Sequence, residues 1–263
     1  MKIEFHKYHG AGNDFIIIDN REHKYDLDNT TIAKMCGRRY GIGADGLMIL
    51  EKSDDYDFRM KYYNSDGNEG SMCGNGGRCI IAFAKDLAII KSKSTFIATD
   101  GVHHAIINNS NNNEFDISLN MNDVSDISSV NNSYFLNTGS PHHVEFVNNI
   151  DSIDVYNKGK EIRYSERYKE INGTNVNFIE LNGDYLTIRT YERGVEDETH
   201  ACGTGATAAA IAFAYEHNII NKEIKLKALG GILRVKFNNS DSKFDNIVLS
   251  GPVKRVFKGH YIL

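Results

Sequence analysis

Apolar and polar residues alternate in "MKIEFHKYH" (1–9), "DFRMKYYN" (57–64), "TFIATD" (95–100), "YLTIRTYER" (185–193) and "IKLKALGGILRVKF" (224–237). A period of two puts one row of side chains on a core and the other in water, so each stretch is predicted to be a strand. Two segments break this pattern. Gly74–Ala88 and Gly203–His217 are apolar on nearly every side, and a helix of that kind is expected to be buried. A shorter helix is predicted over Asn29–Arg39, capped by Asp28 or Asn29 and ended by Gly41. The Asn-rich run Asn108–Asn113 reads as a hairpin tip.

The pattern occurs twice. Cys73-Gly-Asn-Gly and Cys202-Gly-Thr-Gly are 129 residues apart, "IAFA" recurs at 81–84 and 211–214, and Asp100-Gly101 matches Gly230-Gly231 at an offset of 130. Each half runs strand, loop, Cys-Gly-x-Gly, helix, hairpin. One match could be chance, but the same order at one offset means two similar domains. The expected fold is α/β in the α+β sense. Two pseudo-symmetric domains each wrap a curved, mostly antiparallel sheet round a central helix, with an active site in the cleft between them. The expected boundaries are 1–117 and 118–250, with the last strand, about 251–263, able to return to the first domain.

Composition narrows the function. The chain has 263 residues, 41% hydrophobic and 25% charged, with a formal net charge of −5 and both signs interspersed. No basic stripe speaks for nucleic acid, and no apolar run approaches a membrane span. The N-terminus lacks the apolar core of a signal peptide, so a cytoplasmic location is expected. Four cysteines, Cys36, Cys73, Cys79 and Cys202, are too few for a disulfide scaffold. A zinc set of Cys73, Cys79, His200 and Cys202 is disfavoured, because there is no Cys-x-x-Cys pair and Cys79 lies well round the helix from Cys73. No metal is expected.

A cysteine at a helix start has particular chemistry. Unpaired N–H groups and the positive end of the helix dipole favour a thiolate there. The glycines that follow let an anion such as a carboxylate approach those N–H groups. One Cys-Gly-x-Gly is most simply a tight turn before a packed helix. Two copies related by a repeat would hold one carboxylate between two sulfurs, on opposite sides of the adjacent carbon. That arrangement suits inversion at an amino-acid α-carbon, with N–H dipoles in a dry site stabilising the carbanion.

Seven stretches carry a family resemblance: "HGAGNDF" (9–15), "RRYGIGADGL" (38–47), "YYNSDGNEGSMCGNGGRC" (62–79), "GSPHHV" (139–144), "GTNVNF" (173–178), "YERG" (191–194) and "ACGTG" (201–205). In their order and span the chain resembles the diaminopimelate epimerases, cofactor-independent isomerases of lysine and peptidoglycan precursor synthesis. The resemblance implies that Cys73 and Cys202 are the acid–base pair, one thiolate and one thiol. It also implies that the N–H groups of Gly74, Asn75, Gly203 and Thr204 hold the reacting carboxylate. Glu192 would take the ammonium and His142 would support the pair. Asn13, Asn64, Asn175 and Arg193 would read the far amino-acid end, where a guanidinium suits bidentate carboxylate binding. Catalysis needs no cofactor on this reading, the partner is a small-molecule substrate, and a homodimer is expected.

Each of these residues has a plainer reading taken singly: Asn13 and Asn64 as turn residues, His142 as a strand start, Glu192–Arg193 as a surface ion pair. Cys36 and Cys79 read as small buried thiols. Two positions depart from the family pattern. Ser140 stands where many members have asparagine, and can still donate a hydrogen bond to a ligand. Gly46 stands where many have glutamine, and offers only backbone. The competing functions are a proline racemase-like enzyme with the same two cysteines, and a thiol-redox or metal-binding protein. Phenazine-biosynthesis relatives are disfavoured because they lack this cysteine pair.

Overall fold

The computed structural model describes residues 2–70, 72–240 and 242–263. Met1, Ser71 (within the 62–79 motif) and Asp241 lie outside the described residues. The chain divides into two compact units, Met1–Leu119 with Gly251–Leu263, and Asn120–Ser250. Through the first half run β1 (Lys2–Gly10), β2 (Asn13–Asp19), α1 (Asn29–Cys36), β3 (Gly46–Glu51), β4 (Arg59–Asn64), α2 (Gly74–Asp86), β5 (Lys93–Ala98), β6 (Gly101–Asn111) and β7 (Glu114–Asn120). The second half contains β8 (Ile127–Val130), β9 (Ser133–Asn137), β10 (Pro141–Phe146), α3 (Val155–Arg163), β11 (Asn175–Asn182) and β12 (Tyr185–Glu192). It continues with β13 (Asp197–Thr199), α4 (Gly203–Glu216), β14 (Glu223–Ala228), β15 (Gly231–Ser240) and β16 (Lys243–Ile262).

In the first unit, successive strands β1 to β7 pair as neighbours, β7 pairs with the later part of β16, and β16 pairs back with β1. The sheet therefore closes on itself, which removes the unpaired edges an open sheet would expose. Pairing is antiparallel except at β2–β3 and β4–β5. The second unit repeats the plan. Its strands run β8-β9-β10-β11-β12-β14-β15-β16, parallel only at β10–β11 and β12–β14, and a bridge from Val124 to Phe244 of β16 returns to the start. β13 is an addition, hung on β12. β5 and β14 lie 130 residues apart at both ends, as the sequence repeat requires.

Each ring has a helix within it. α2 packs against β1, β2, β3 and β6; α4 packs against β9 to β12, β14 and β15. The alanines of α4, nearly all buried, let strand backbones come close, while Ile211 and Phe213 fill the wider spaces. The expected α+β class, a mostly antiparallel sheet round a central helix, twice over, is thus observed. α2 differs from the apolar reading in one respect. Asn75 and Arg78 are both fully buried within it and form part of a polar relay.

α1 is shorter than predicted. Asp28 caps it, accepting from the Thr31 N–H at 2.7 Å, but it ends at Cys36 rather than Arg39. The chain folds back over the helix end, with the N–H groups of Ile42 and Gly43 donating to Met35 O and that of Ala44 to Cys36 O. These bonds satisfy the terminal carbonyls. Gly41 sits so close that a Cβ there would lie 2.0 Å from Lys34 O, so it closes this loop instead of stopping the helix. The predicted hairpin tip is tighter than the Asn run: β6 continues to Asn111, and Asn112 turns the chain at φ 54°, which asparagine tolerates.

Candidate active site

In the first unit, Cys73 is the N-cap of α2, with extended backbone and no side-chain capping bond. Its sulfur lies 3.7 Å from Asn13 Oδ1, which also accepts from Asn75 Nδ2 at 3.2 Å. Asn13 Nδ2 donates to Asp45 Oδ2 at 2.7 Å, and Asn75 Oδ1 accepts from Arg78 Nη2 at 2.7 Å. Asp45 is ion-paired with Arg38, which also holds Asp14 beside the buried Lys7. Burial alone would raise the Asp14 carboxyl, but hydrogen bonds from Arg38 and Lys7 hold it well below the carboxylate range. Asn13, Asn75 and Cys73 are therefore brought together.

Asn64 ends β4, in register with Gly46, and its N–H donates to Asn68 O. Gly46 has no space for a side chain. A Cβ there would be 2.7 Å from both the Tyr62 ring and Tyr63 O, and one at Gly70 would be 2.9 Å from the other side of that ring. Tyr62 thus occupies the space next to residue 46, which no sequence signal pointed to.

In the second unit, Cys202 is the N-cap of α4 and is buried. Its sulfur accepts from the Gly205 N–H at 3.4 Å and lies 3.4 Å from Thr204 Oγ1. Thr204 is held by its carbonyl, which accepts from Thr138 Oγ1 at 2.9 Å. A Cβ on Gly205 would sit 2.4 Å from Asn177 Oδ1, so glycine is required for the approach.

His142, on β10, is fully buried. Asn177 Nδ2 donates to His143 O at 2.9 Å and meets His142 Nδ1 at 3.1 Å. The His143 carbonyl can only accept, so the amide orientation is fixed and His142 Nδ1 is the acceptor. Its proton is on Nε2, which has no hydrogen-bond partner among the described residues. Burial first, then the Arg193 charge, pushes the imidazole down to about 3, so it is neutral at ordinary pH. The geometry makes it an N–H donor, not a base.

Asn175 works as a clip. Its Nδ2 donates to Ser140 Oγ at 2.8 Å and Pro141 O at 3.0 Å, and its Oδ1 accepts from the Arg193 N–H at 2.9 Å. Burial and then the charge of Arg163 push the Arg193 guanidinium down. Glu192 accepts from Thr199 Oγ1 at 2.8 Å. The loop after Arg193 is tied by Glu196, which takes hydrogen bonds from Arg163, Tyr164 and Gly194 N. Burial would raise this carboxyl, but these donors hold it at about 2.

Cys79 and Cys36 fit the reading of inert thiols. Burial pushes both up, Cys36 to about 12, far from a thiolate at neutral pH. Asp45, Arg78 and Asn177 were missed as site residues. All three lie inside the motif stretches, and Arg78 and Asn177 are buried polar residues among apolar neighbours. Among the described residues, no group of three His, Cys, Asp or Glu side chains could hold a metal ion, and no helix is long and apolar enough to cross a membrane.

Three comparisons bear on identity. The sequence model of the diaminopimelate epimerase family matches residues 5–126 and 134–256. A diaminopimelate epimerase from Flavobacterium psychrophilum is 53% identical, covering 97% of this chain and 99% of its own. The Chlorobaculum tepidum diaminopimelate epimerase is 43% identical over 95% and 98%. Among solved structures, a phenazine biosynthesis protein of the PhzF family from Bacillus anthracis matches with a TM-score of 0.80 at 15% identity, each chain covered in full. A hydroxyproline epimerase from Agrobacterium vitis matches at 0.74 and 11%, over all of this chain and 93% of that one. Those two share the fold. With two cysteine-capped buried helices in a repeated ring, and close sequence relatives over nearly its whole length, this chain belongs to the diaminopimelate epimerase family.

Proposed function

We propose that the protein is an isomerase that interconverts LL- and meso-diaminopimelate by a two-base mechanism without a cofactor, in lysine and peptidoglycan precursor synthesis. The two units act as its N- and C-terminal epimerase domains. One sulfur, as thiolate, removes the α-proton, and the other, as thiol, delivers a proton to the opposite face. A thiolate is a weak base toward a carbon acid, so the carbanion needs stabilisation. The first-turn N–H groups at Gly74, Asn75, Gly203 and Thr204 supply it by binding the reacting carboxylate. Neutral His142 offers Nε2–H as a further donor. Glu192 takes the ammonium of the reacting centre. Asn13, Asn64, Asn175 and Arg193 recognise the distal amino-acid end, with Arg193 on its carboxylate, and Ser140 is a further substrate-binding residue. The protein works as a homodimer.

The observation that supports this best is the matched pair of N-cap cysteines, Cys73 and Cys202, on the two buried helices α2 and α4. The test is incubation with LL-diaminopimelate, with no pyridoxal phosphate or metal added, and chiral separation of products. Meso product is expected. Equal kcat/KM for proline would overturn the assignment in favour of a racemase. In D2O, product at low conversion should carry solvent deuterium at the inverted carbon while recovered substrate stays largely protiated. Substrate-derived hydrogen in that product would point to a single base.

A further inference from the structure

We infer that before substrate binds Cys202 holds the thiolate and Cys73 the thiol, and that Asp45, Asn13, Asn75 and Arg78 are positioning residues that impose this on Cys73. The inference deepens the epimerase reading and takes its cysteine pair from it.

The relay beside Cys73 has only one possible polarity. Arg78 carries donors and no acceptor, so the atom of Asn75 that meets Arg78 Nη2 at 2.7 Å must be Oδ1. Asn75 therefore turns its NH2 toward Asn13. At the other end, the Asp45 carboxylate accepts from both Asn13 Nδ2 at 2.7 Å and the Asp14 N–H at 3.1 Å, and is paired with Arg38. A carboxylate cannot donate, so Asn13 must turn its NH2 toward Asp45. Both ends independently leave Asn13 Oδ1 facing the Cys73 sulfur at 3.7 Å. A thiol can donate its S–H to that oxygen, whereas a thiolate would be repelled by it.

Cys202 meets the opposite polarity. The Gly205 N–H can only donate, so the sulfur is the acceptor at 3.4 Å, and Thr204 Oγ1 at 3.4 Å can donate as well. Both contacts strengthen when the sulfur is charged. Two sulfurs at equivalent caps are thus set to opposite protonation states by the groups they meet, the Asn13 amide oxygen at Cys73 and the Gly205 N–H with the Thr204 hydroxyl at Cys202. In the first half-reaction the Cα–H proton passes to the Cys202 sulfur and the Cys73 S–H proton passes to the carbanion. Exchange with water afterwards restores the starting distribution.

The test is thiolate absorbance at about 240 nm and about pH 7.5, in substrate-free protein. Cys202→Ser should lose the band and Cys73→Ser should keep it; the reverse, or equal loss in both, would overturn the inference. Iodoacetamide labelling resolved by mass spectrometry gives a second readout on the unaltered protein. Cys202 should label about tenfold faster than Cys73 despite its burial, and equal or reversed rates would count against the assignment. Asn13→Ala and Asp45→Asn should raise Cys73 labelling several-fold (roughly three- to tenfold) and leave Cys202 unchanged. An unaltered Cys73 rate in both would remove the relay from the account. Epimerisation of LL-diaminopimelate is assayed on the same preparation. Turnover with the wrong thiolate defeats only this inference, and the right thiolate without turnover defeats only the epimerase reading.

Discussion

The starts of α2 and α4 occupy the same place in two copies of one topology, and each is capped by a cysteine followed by glycine. Their surroundings are opposite in kind. Cys73 meets the Asn13 amide oxygen in the middle of a polar relay that includes a fully buried arginine, while Cys202 meets a backbone N–H of its own helix. α2 buries Asn75 and Arg78; α4 buries alanines. The repeated backbone sets where each sulfur sits, and the group each one meets, the Asn13 oxygen or the Gly205 N–H with Thr204 Oγ1, sets what each sulfur is. Inversion needs both properties, because two groups of identical protonation could not serve as base and acid at once.

The largest expected effect tests whether the two caps are equally needed. Cys73→Ala and Cys202→Ala should each lower kcat for diaminopimelate by about a thousandfold or more, with the fold retained by circular dichroism. Cys79→Ala, removing a buried thiol whose ionisation is pushed up by burial, should keep activity within about threefold. Near wild-type turnover in either N-cap variant would end the pairing of the two sites.

A second test separates the glycines behind the sulfurs. Gly205→Ala pushes a methyl to 2.4 Å from Asn177 Oδ1 and should destabilise by about 2 kcal/mol or more in denaturant unfolding. Gly76→Ala meets the end of the flexible Met48 side chain at 3.1 Å and Cys73 Cβ at an ordinary contact distance of 3.5 Å, and gains helix propensity, so stability should change by less than about 1 kcal/mol. Equal losses would mean the two helix starts are packed alike.

Acid sensitivity sharpens the contrast further, because His142 in the second unit is held neutral by burial and then by Arg193. Its folded value, about 3, lies below the unfolded value, so the unfolded chain binds the proton first. The stability due to neutral His142 is full above about pH 6.5 and is lost as pH falls toward the folded value. Between about pH 6.5 and pH 5 this amounts to at most about 2 kcal/mol, and His142→Gln should show correspondingly less acid destabilisation. A variant with the same acid slope as wild type would show that His142 titrates normally.

The smallest effect asks where the units are alike. Asp28 caps α1 through Thr31 N and Asp154 caps α3 through Asn157 N. Each Asp→Ala change should lower the thermal midpoint slightly, and the two losses should add. A loss at one cap only would locate a further asymmetry.

Much of the scaffold was legible because its signals are local. Period-two alternation marked β1, β4, β5, β12, β14 and β15, and the all-round apolar runs marked α2 and α4 as buried helices. Failures came where distant segments decide. α1 was read to Arg39 from its cap and composition, but residues 42–44 take up its last carbonyls. At Asn175 the sequence shows an amide but not its neighbours, and the fold brings Ser140, Pro141 and the Arg193 backbone to it. Asn177 was overlooked two residues away, although it sets the tautomer of His142.

The amino-acid sequence by itself determined the repeat, the two cysteine–glycine helix starts and the family, since each is written in neighbouring residues and their spacing. Only tertiary structure decided the closure of each ring, because β1 meets β16 across nearly the whole chain length. It also decided the polarity of the hydrogen bonds at each sulfur. Donor and acceptor roles depend on which group ends a chain of contacts, and here Asp45 comes from a loop, Asn13 from β2, and Asn75 and Arg78 from α2. Sequence spacing holds no record of that order; folding creates it by burying groups that must then find partners.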